Sequence, residues 1–163
     1  MSPTTESIAK DRIAAQLVII MPVFEDRESV QILMQDLKRD IAEDFIVICV
    51  EDGSLNNPLL IEDLKDAGIK GEIIYLTRNM GHQRAIATGI RYVHDSYIAE
   101  RTVIMDSDGE DKPSSIPEML LAFDDKTDVV TASRKSRQET LQFKTFYVVY
   151  KFIFKLLTGR FVN

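Results

Sequence analysis

Two aspartates, Asp106 and Asp108, directly follow an apolar run that ends at Met105. The run has the composition of a buried strand, so both carboxylates are expected at its carboxyl end, the edge where open α/β sheets bind ligands. Such oxygen ligands suit Mg²⁺ or Mn²⁺, which proteins usually bind through one or two carboxylates and the phosphates of a substrate. The spacing therefore indicates a metal–diphosphate site, with a solvated acidic loop as the alternative.

Polar residues also follow other predicted strands, and their types complement a nucleoside diphosphate. Glu51 and Asp52 follow the second strand and suit a base N–H or a ribose hydroxyl. Arg78 follows the third strand and offers a planar guanidinium to a phosphate or a nucleobase edge. Arg134 and Arg137 follow the fifth and suit a second anionic group. A metal and arginines together would stabilise negative charge on a departing diphosphate.

The elements that must position these residues alternate between strand and helix. Strands are predicted over residues 16–24, 45–50, 71–76, 101–105 and 128–132, and helices over 26–41, 58–66, 83–96, 115–123 and 138–158. This alternation is typical of a parallel sheet with helices on both faces, so we predict an α/β fold. In the first helix, Val30, Leu33, Met34 and Leu37 have the spacing of a buried face, and Gly68 is expected to close the second helix. In the third helix, Ile86, Ile90 and Val93 are expected to face the core. Ser114 or Ser115 is expected to cap the fourth.

Composition favours one soluble domain spanning residues 1–163, beginning with a polar segment over 1–15. The net charge of −6 argues against a nucleic-acid binder. The single cysteine, Cys49, lies in an apolar run and is expected to be a buried thiol. The first residues have no signal-peptide core and no apolar run reaches eighteen residues, so we predict a cytoplasmic protein.

Fingerprints of other phosphate-binding folds are missing from the sequence. There is no glycine-lysine loop of the Walker A type and no Gly-x-Gly-x-x-Gly motif, which argues against a P-loop enzyme and a Rossmann dehydrogenase. A phospho-receiver domain needs an aspartate after its third strand, whereas Thr77, Arg78 and Asn79 stand there. His82 and His94 do not suggest a Ser-His-Asp triad, and His82 is expected to have a surface or capping role at a helix start.

Four ordered segments resemble the motifs of glycosyltransferase family 2. They are Pro-Val-Phe-Glu-Asp at 22–26, Glu-Asp-Gly-Ser at 51–54, Arg-Asn-Met-Gly-His at 78–82 with Ala85 and Gly89, and Asp-Ser-Asp-Gly-Glu-Asp-Lys-Pro at 106–113. Members typically show Pro-x-Tyr-Asn-Glu, Asp-Asp-Gly-Ser, Arg-Asn-x-Gly, and Asp-x-Asp followed by Gln-Asp-x-Pro. The likeness is greatest to the polyprenyl-phosphate glycosyltransferases, including dolichyl-phosphate mannose synthase and its bacterial relatives. It implies a GT-A fold, a Rossmann-like three-layer arrangement around a mostly parallel sheet.

The resemblance also implies roles for individual residues around a UDP-sugar or GDP-sugar donor. The residues that bind the nucleotide sugar would be Pro22, Phe24, Asp26, Glu51, Asp52, Arg78 and Asp106. Asp106 and Asp108 would hold Mg²⁺ or Mn²⁺. The catalytic group would comprise Asp108, Glu110 and Asp111, the last two beside the sugar or the acceptor. Arg134 and Arg137 would bind the phosphate of the acceptor.

The implied activity is inverting transfer of a sugar to a polyprenyl phosphate or other lipid acceptor at the cytoplasmic face of the membrane. One alternative is a family 2 enzyme that acts on a sugar hydroxyl in polysaccharide or glycolipid synthesis. That reaction needs a base, usually an acid late in the chain, and no acid follows Glu139. The other alternative is a donor-binding module without turnover.

Several positions depart from the family pattern. Glu25 stands where asparagine is usual, Glu51 where aspartate is usual and Glu110 where glutamine is usual, so base and sugar identity stay open. The chain ends at Asn163, whereas members normally continue, so both a truncated form and a naturally short form are considered.

The predicted last helix, 138–158, is amphipathic. An aromatic and apolar stripe comprises Phe143, Phe146, Tyr147, Tyr150, Phe154 and Leu157, and a neighbouring face carries Lys144, Lys151 and Lys155. The helix either packs on the core or lies in a membrane interface, with its lysines at anionic headgroups. The second reading predicts peripheral membrane contact.

Overall fold

The structure, a computed structural model, describes residues 12–124 and 126–133. In chain order the elements are β1 (Ile13–Val23), α1 (Arg27–Asp40), β2 (Phe45–Glu51), α2 (Ile61–Ala67), β3 (Gly71–Tyr75), α3 (His82–Ser96), β4 (Tyr97–Ile104) and α4 (Ile116–Leu121). A single 3₁₀ turn, Pro113–Ser115, precedes α4. The alternation of strand and helix predicted from the sequence is confirmed over β1 to α4.

The four strands form one parallel sheet in the order β3-β2-β1-β4. Val23 lies opposite Glu51, and Glu51 lies opposite Tyr75, so the carboxyl ends of β1, β2 and β3 are level. Ile20 pairs with Ile104 at the end of β4. The predicted α/β class is confirmed, and a parallel sheet with helices fits a Rossmann-like GT-A fold.

The sheet has an apolar core on each face. Leu17, Ile19 and Met21 of β1 pack with α1, α2 and α4, whereas Val18 and Ile20 pack with α3. All five side chains are fully buried. A strand buried on both faces reads as a continuous apolar run, which is why β1 shows no alternation of polar and apolar residues.

The helices that cover the first face follow their sequence patterns closely. In α1 the buried residues are Val30, Leu33, Met34 and Leu37, spaced as an apolar stripe requires. Helix α2 ends at Gly68 with a φ of 66°, in the left-handed conformation that glycine adopts readily. Cys49 is buried as predicted, and burial raises the pKa of its thiol to about 12.

The predicted inward face of α3 was wrong in part. Its buried residues are Ala85, Gly89 and Val93, whereas Ile90 is 46% exposed. A Cβ on Gly89 would lie 2.5 Å from Cγ2 of Ile20. The helix therefore approaches the sheet too closely for large side chains, and small residues occupy the contact.

Two predictions near residues 97–123 need correction. Strand β4 begins at Tyr97, four residues earlier than expected, directly after α3. The helix predicted over 115–123 is divided into the 3₁₀ turn and α4. Ser115 stands at the N-cap of α4 but its hydroxyl donates to the carbonyl of Lys112 at 2.7 Å, so it does not cap the helix.

The predicted fifth strand over 128–132 was also wrong. The structure gives these residues no strand conformation, and Val129 is 74% exposed. A strand needs a paired neighbour, and a short run of apolar residues does not specify one.

The predicted final helix, 138–158, lies outside the described residues, together with Arg134 and Arg137. The described residues up to Val130 belong to one compact unit. The extent of a single domain over 1–163 therefore stays a prediction. Among the described helices, none has the length and apolar character needed to cross a membrane.

Candidate functional site

A cavity of about 170 Å³ lies where the carboxyl ends of β1 and β2 meet the start of α3. Its lining includes Pro22, Phe24, Asp26, Asp52, Asn79 and His82. For four of these residues the sequence predicted contact with a nucleotide, namely Pro22, Phe24, Asp26 and Asp52. Ligand pockets usually measure about 300–1,000 Å³, so the cavity is sized for part of a nucleotide.

Residues after β1 form one wall of the cavity. Pro22 is buried within β1, while Phe24 is 45% exposed. A ring with one open face can stack on a flat ligand. Asp26 precedes α1, and its Oδ2 accepts the hydroxyl of Ser107 at 3.3 Å. Ser107 stands between Asp106 and Asp108, so this contact joins the β1 wall to the acidic segment after β4.

Glu51, at the end of β2, is a buried acid that binds backbone donors. Its Oε2 accepts the Leu59 N–H at 2.7 Å, and its Oε1 accepts both the N–H and the hydroxyl of Ser54. The residue is 2% exposed. In this position the carboxylate holds the loop between β2 and α2. The contact between Glu51 and a nucleotide stays a prediction.

Glu25 is a structural residue of the site that sequence analysis did not identify. Its Oε1 accepts the N–H groups of Leu55 and Asn56 at 2.7 and 3.1 Å, and its Oε2 accepts that of Asn57 at 3.0 Å. These bonds, that of Leu55 foremost, hold the pKa of Glu25 below its usual value. Its own N–H donates to Ser54 Oγ at 2.7 Å. The one available signal was an acid where the family motif carries asparagine.

The backbone of Glu25 has a φ of 56°, which is uncommon for a residue other than glycine. Such strain persists only where surrounding contacts hold it. Here the three backbone donors of residues 55–57 and the hydroxyl of Ser54 supply those contacts. Glu25 therefore joins the end of β1 to the loop that follows β2 through hydrogen bonds.

Asp52 makes a third acid-to-backbone contact. Its Oδ1 accepts the Met80 N–H at 2.7 Å and its Oδ2 accepts the Gly81 N–H at 2.9 Å. Asp52 is 2% exposed, yet it lines the cavity. The same residue therefore faces the cavity and fixes the segment that leads into α3.

The acidic segment after β4 forms a compact turn. The N–H of Asp106 donates to Asp111 Oδ2 at 3.1 Å, and Asp108 Oδ1 accepts the Glu110 N–H at 2.8 Å. Gly109, with a φ of 78°, permits the turn. The predicted catalytic carboxylates Asp108, Glu110 and Asp111 therefore share one turn at the sheet edge.

His82 makes a contact that the sequence did not predict. Its Nε2 lies 3.4 Å from Oδ1 of Asp106, and both side chains are about half exposed. The residue opens α3, as expected, but it also brings the helix start against the acidic segment. Arg78 is exposed in the loop after β3, and its contact with a nucleotide stays a prediction.

The donor atoms of Asp106 and Asp108 fit a divalent metal that is bound together with a diphosphate. Both are carboxylates, the ligands that Mg²⁺ and Mn²⁺ prefer. In the part of the chain that the structure describes, no group of three or more His, Cys, Asp or Glu side chains is arranged to enclose a metal. Mg²⁺ commonly takes one or two carboxylates and completes its shell with phosphate oxygens and water, so a two-carboxylate site agrees with its chemistry.

Comparison with known proteins agrees with the motifs. The model of the family described as glycosyl transferase family 2 matches residues 18–159. An undecaprenyl-phosphate 4-deoxy-4-formamido-L-arabinose transferase of Photorhabdus laumondii is 26% identical over 147 residues, which cover 87% of this chain and 44% of that protein. A transferase of the same name from an Enterobacter species is 28% identical over 127 residues, covering 75% and 38%.

A third relative is an uncharacterized glycosyltransferase of Synechocystis, 27% identical over 135 residues, which cover 80% of this chain and 41% of that protein. The chain thus spans less than half the length of these curated relatives. The resemblance inferred from the four motifs is confirmed by the family match and by relatives named for a polyprenyl phosphate. The chain belongs to glycosyl transferase family 2.

Proposed function

We propose that the protein transfers a sugar from a nucleoside-diphosphate sugar to a polyprenyl phosphate, at the cytoplasmic face of a membrane and with inversion at the anomeric carbon. The observation that carries the proposal is the convergence of Asp26, Asp52 and His82 on one cavity at the carboxyl edge of the sheet, with Asp106 lying 3.4 Å from His82. Two of the relatives are named for transfer to undecaprenyl phosphate.

The donor would lie across the sheet edge. Pro22, Phe24 and Asp26 would line its nucleoside part, with Glu51, Asp52 and Arg78 nearby. Asp106 and Asp108 would bind the diphosphate through Mg²⁺ or Mn²⁺, and that metal would neutralise charge on the leaving diphosphate. The ring of Phe24 lines the cavity and is 45% exposed, which supports stacking on the base.

The acceptor phosphate would need little activation. A phosphate oxygen is already an anionic nucleophile, so attack requires no strong general base. The oxygen forms a bond to the anomeric carbon as the bond from that carbon to the nucleoside diphosphate breaks, and attack in line with the leaving group inverts the centre. Glu110 and Asp111 would lie beside the sugar or the acceptor, and Arg134 and Arg137 would bind the acceptor phosphate.

Calorimetric titration with UDP and GDP, each with and without Mn²⁺, tests the donor site. Binding of one nucleotide that depends on the metal supports the proposal and identifies the base. Binding of neither nucleotide contradicts it. An equal affinity with and without Mn²⁺ contradicts the metal assignment alone.

A transfer assay then tests the acceptor. Membranes or detergent micelles that contain undecaprenyl phosphate are compared with matched preparations that contain undecaprenol, which has a hydroxyl in place of the phosphate. Transfer to the phosphate alone supports the proposal, whereas transfer to a sugar hydroxyl supports the other family 2 activity. Donor binding without transfer supports a donor-binding module.

A further inference from the structure

We infer that the imidazole of His82 contacts the diphosphate of the donor and stabilises the negative charge on the leaving group. The inference rests on the proposed function, because it adds one residue to the donor site. His82 is the first residue of α3, directly after the N-cap Gly81. A surface or capping role was expected from the sequence, whereas the structure also puts the residue in the lining of the cavity.

The first support is the position of His82 between the cavity and the acidic segment after β4. His82 lines the cavity together with Phe24, the residue proposed to stack on the base. Its Nε2 lies 3.4 Å from Oδ1 of Asp106, which stands beyond the cavity lining. A nucleotide with its base at Phe24 and its diphosphate at Asp106 would therefore extend past His82.

The second support is the charge of the cavity. Asp26 and Asp52 bring two carboxylates into its lining. A diphosphate is itself anionic and is repelled by carboxylates that lie close to it, so its oxygens need a donor or a cation nearby. Among the described residues that line the cavity, His82 is the one whose side chain can carry a positive charge. Its imidazole is therefore well suited to contact a phosphate oxygen.

The third support is the length of the contact between His82 and Asp106. N–H···O hydrogen bonds in proteins measure about 2.7–3.2 Å, so the carboxylate at 3.4 Å holds the imidazole N–H only weakly. Both side chains are about half exposed, which leaves the imidazole accessible to a ligand. A phosphate oxygen that binds beside Asp106 can accept this N–H, since hydrogen bonds at active sites often shorten when the substrate binds.

The role assigned to His82 is that of a hydrogen-bond donor. The imidazole keeps its proton, and the nucleoside diphosphate leaves as an anion when its bond to the anomeric carbon breaks. An N–H that points at the departing diphosphate stabilises the charge that develops there. The contact would thus contribute to the binding of the diphosphate as well as to transfer.

Calorimetric titration in the presence of Mg²⁺ tests whether the contact is made to the diphosphate. The ligands are UDP, GDP, inorganic diphosphate, uridine and guanosine. His82→Ala should weaken the binding of inorganic diphosphate and of the preferred nucleotide by about 10-fold, as expected when one hydrogen bond to a charged group is lost. The affinity for the nucleosides should not change. His82→Gln keeps an N–H donor and should recover part of the loss.

Two variants on the same helix are the controls. Arg84 is an exposed cation in the first turn of α3 that lies outside the cavity lining, and His94 is an exposed histidine near the helix end. Arg84→Gln and His94→Ala should bind diphosphate as wild type does. An equal loss in Arg84→Gln would show a general attraction between positive charge and the anion, and would overturn the contact. His82→Ala should melt at the wild-type temperature, because the side chain that it removes is half exposed.

NMR of the imidazole gives a readout that does not require a substitution at His82. The chain has two histidines, so in His94→Ala labelled with ¹⁵N-histidine the imidazole signals come from His82. These signals should shift when inorganic diphosphate is added to protein that already contains Mg²⁺. They should stay in place when uridine or guanosine is added.

The outcomes distinguish the inference from the proposed function. Binding of inorganic diphosphate but of neither nucleotide would contradict the proposed donor, while a loss in His82→Ala would still support the inference. Equal binding of a nucleotide by wild type and His82→Ala would overturn the inference alone. Weaker binding by His82→Ala without a shift of the imidazole signals would mean that His82 acts through Asp106, and would also overturn it. Binding of none of the ligands would overturn both.

Discussion

The two edges of the sheet use acidic residues in different ways. At the carboxyl edge, Glu25, Glu51 and Asp52 accept backbone N–H groups from loops. At the amino edge, Glu72 of β3 accepts the hydroxyls of Tyr92 and Tyr97. The first group of contacts fixes the course of loops, whereas the second joins side chains of β3, α3 and β4.

The difference follows from what each edge must hold. At the carboxyl edge, the backbones of the loops after β2 and β3 donate hydrogen bonds to fixed carboxylates, and these bonds hold the loops in place. The elements at the amino edge already pack through an apolar core that includes Tyr97. We therefore expect substitutions at the carboxyl edge to change binding and transfer, and substitutions at the amino edge to change stability alone.

The largest expected effect is on catalysis, from the neutralisation of Asp108. Asp108→Asn should abolish measurable transfer, a loss of at least about 100-fold, because it removes negative charge from the proposed metal site. The fold should remain intact, since Asp108 is exposed. Transfer is measured with the donor identified by titration.

Glu72→Gln is the matched control for Asp108→Asn, because it neutralises an acid at the opposite edge. It should retain transfer at the wild-type rate. Transfer by Asp108→Asn at a rate near wild type would contradict the proposal that Asp108 binds a metal. Equal loss in both variants would show that the two edges do not differ in function.

The next largest effect is expected from the substitution of Gly53 or Gly71 by alanine. A Cβ would lie 2.5 Å from the carbonyl carbon of Arg78 at Gly53, and 2.3 Å from the carbonyl oxygen of Val47 at Gly71. Each substitution to alanine should lower the free energy of unfolding by about 1–3 kcal/mol, since backbone must move in both cases. Urea denaturation measures this loss.

Nucleotide binding separates the two glycine variants. Gly53→Ala disturbs the carboxyl edge and should weaken the affinity for nucleotide, whereas Gly71→Ala disturbs the amino edge and should leave that affinity unchanged. A similar loss of affinity in both variants would mean that general destabilisation, and not loop position, controls binding.

A smaller effect is expected from Tyr97→Phe at the amino edge. The variant removes a hydroxyl that donates to Glu72, and it should lower the free energy of unfolding by about 1 kcal/mol without changing nucleotide affinity. Burial, and then the bond to Glu72, raises the pKa of Tyr97 above its usual value of 10.0.

Because its pKa is raised, the contribution of Tyr97 to the stability of the fold depends on pH. Above pH 10 the unfolded chain loses the Tyr97 proton while the folded protein keeps it, so this contribution to stability is complete below pH 10 and is lost as pH rises further. Wild type should therefore lose stability above pH 10 more steeply than Tyr97→Phe. Parallel slopes in the two proteins would contradict the raised pKa of Tyr97.

The smallest expected effect is that of Glu25→Gln at the carboxyl edge. The lowered pKa of Glu25 means that the charged side chain stabilises the fold above its usual pKa of 4.5, and that this contribution is lost as pH falls through the lower pKa of the folded state. Melting temperatures from pH 3 to 7 should show the variant below wild type at pH 7 and equal to it at the acid end.

Glu100→Gln, which changes an exposed residue of β4, is the control for Glu25→Gln. It should melt as wild type does at every pH. A constant difference between Glu25→Gln and wild type across the range would show that the charge of Glu25 does not hold the loop.

Much of the fold could be predicted because its signals are local. The spacing of Val30, Leu33, Met34 and Leu37 predicted the buried face of α1, and Gly68 predicted the end of α2. Likewise, the strand that precedes Asp106 predicted acidic residues at a sheet edge. Each inference used only the period of apolar residues or the chemistry of the next few positions.

The tertiary structure alone decided which groups meet across the site. Asp52 binds the backbone of Met80 and Gly81, 28 and 29 residues away, and His82 lies beside Asp106. The sequence pattern put acids and a helix start after different strands, but it gave no distances between them. Likewise, the closeness of α3 to the sheet at Gly89, which placed Ile90 outside, depends on packing between elements, a property that no local period of residues specifies.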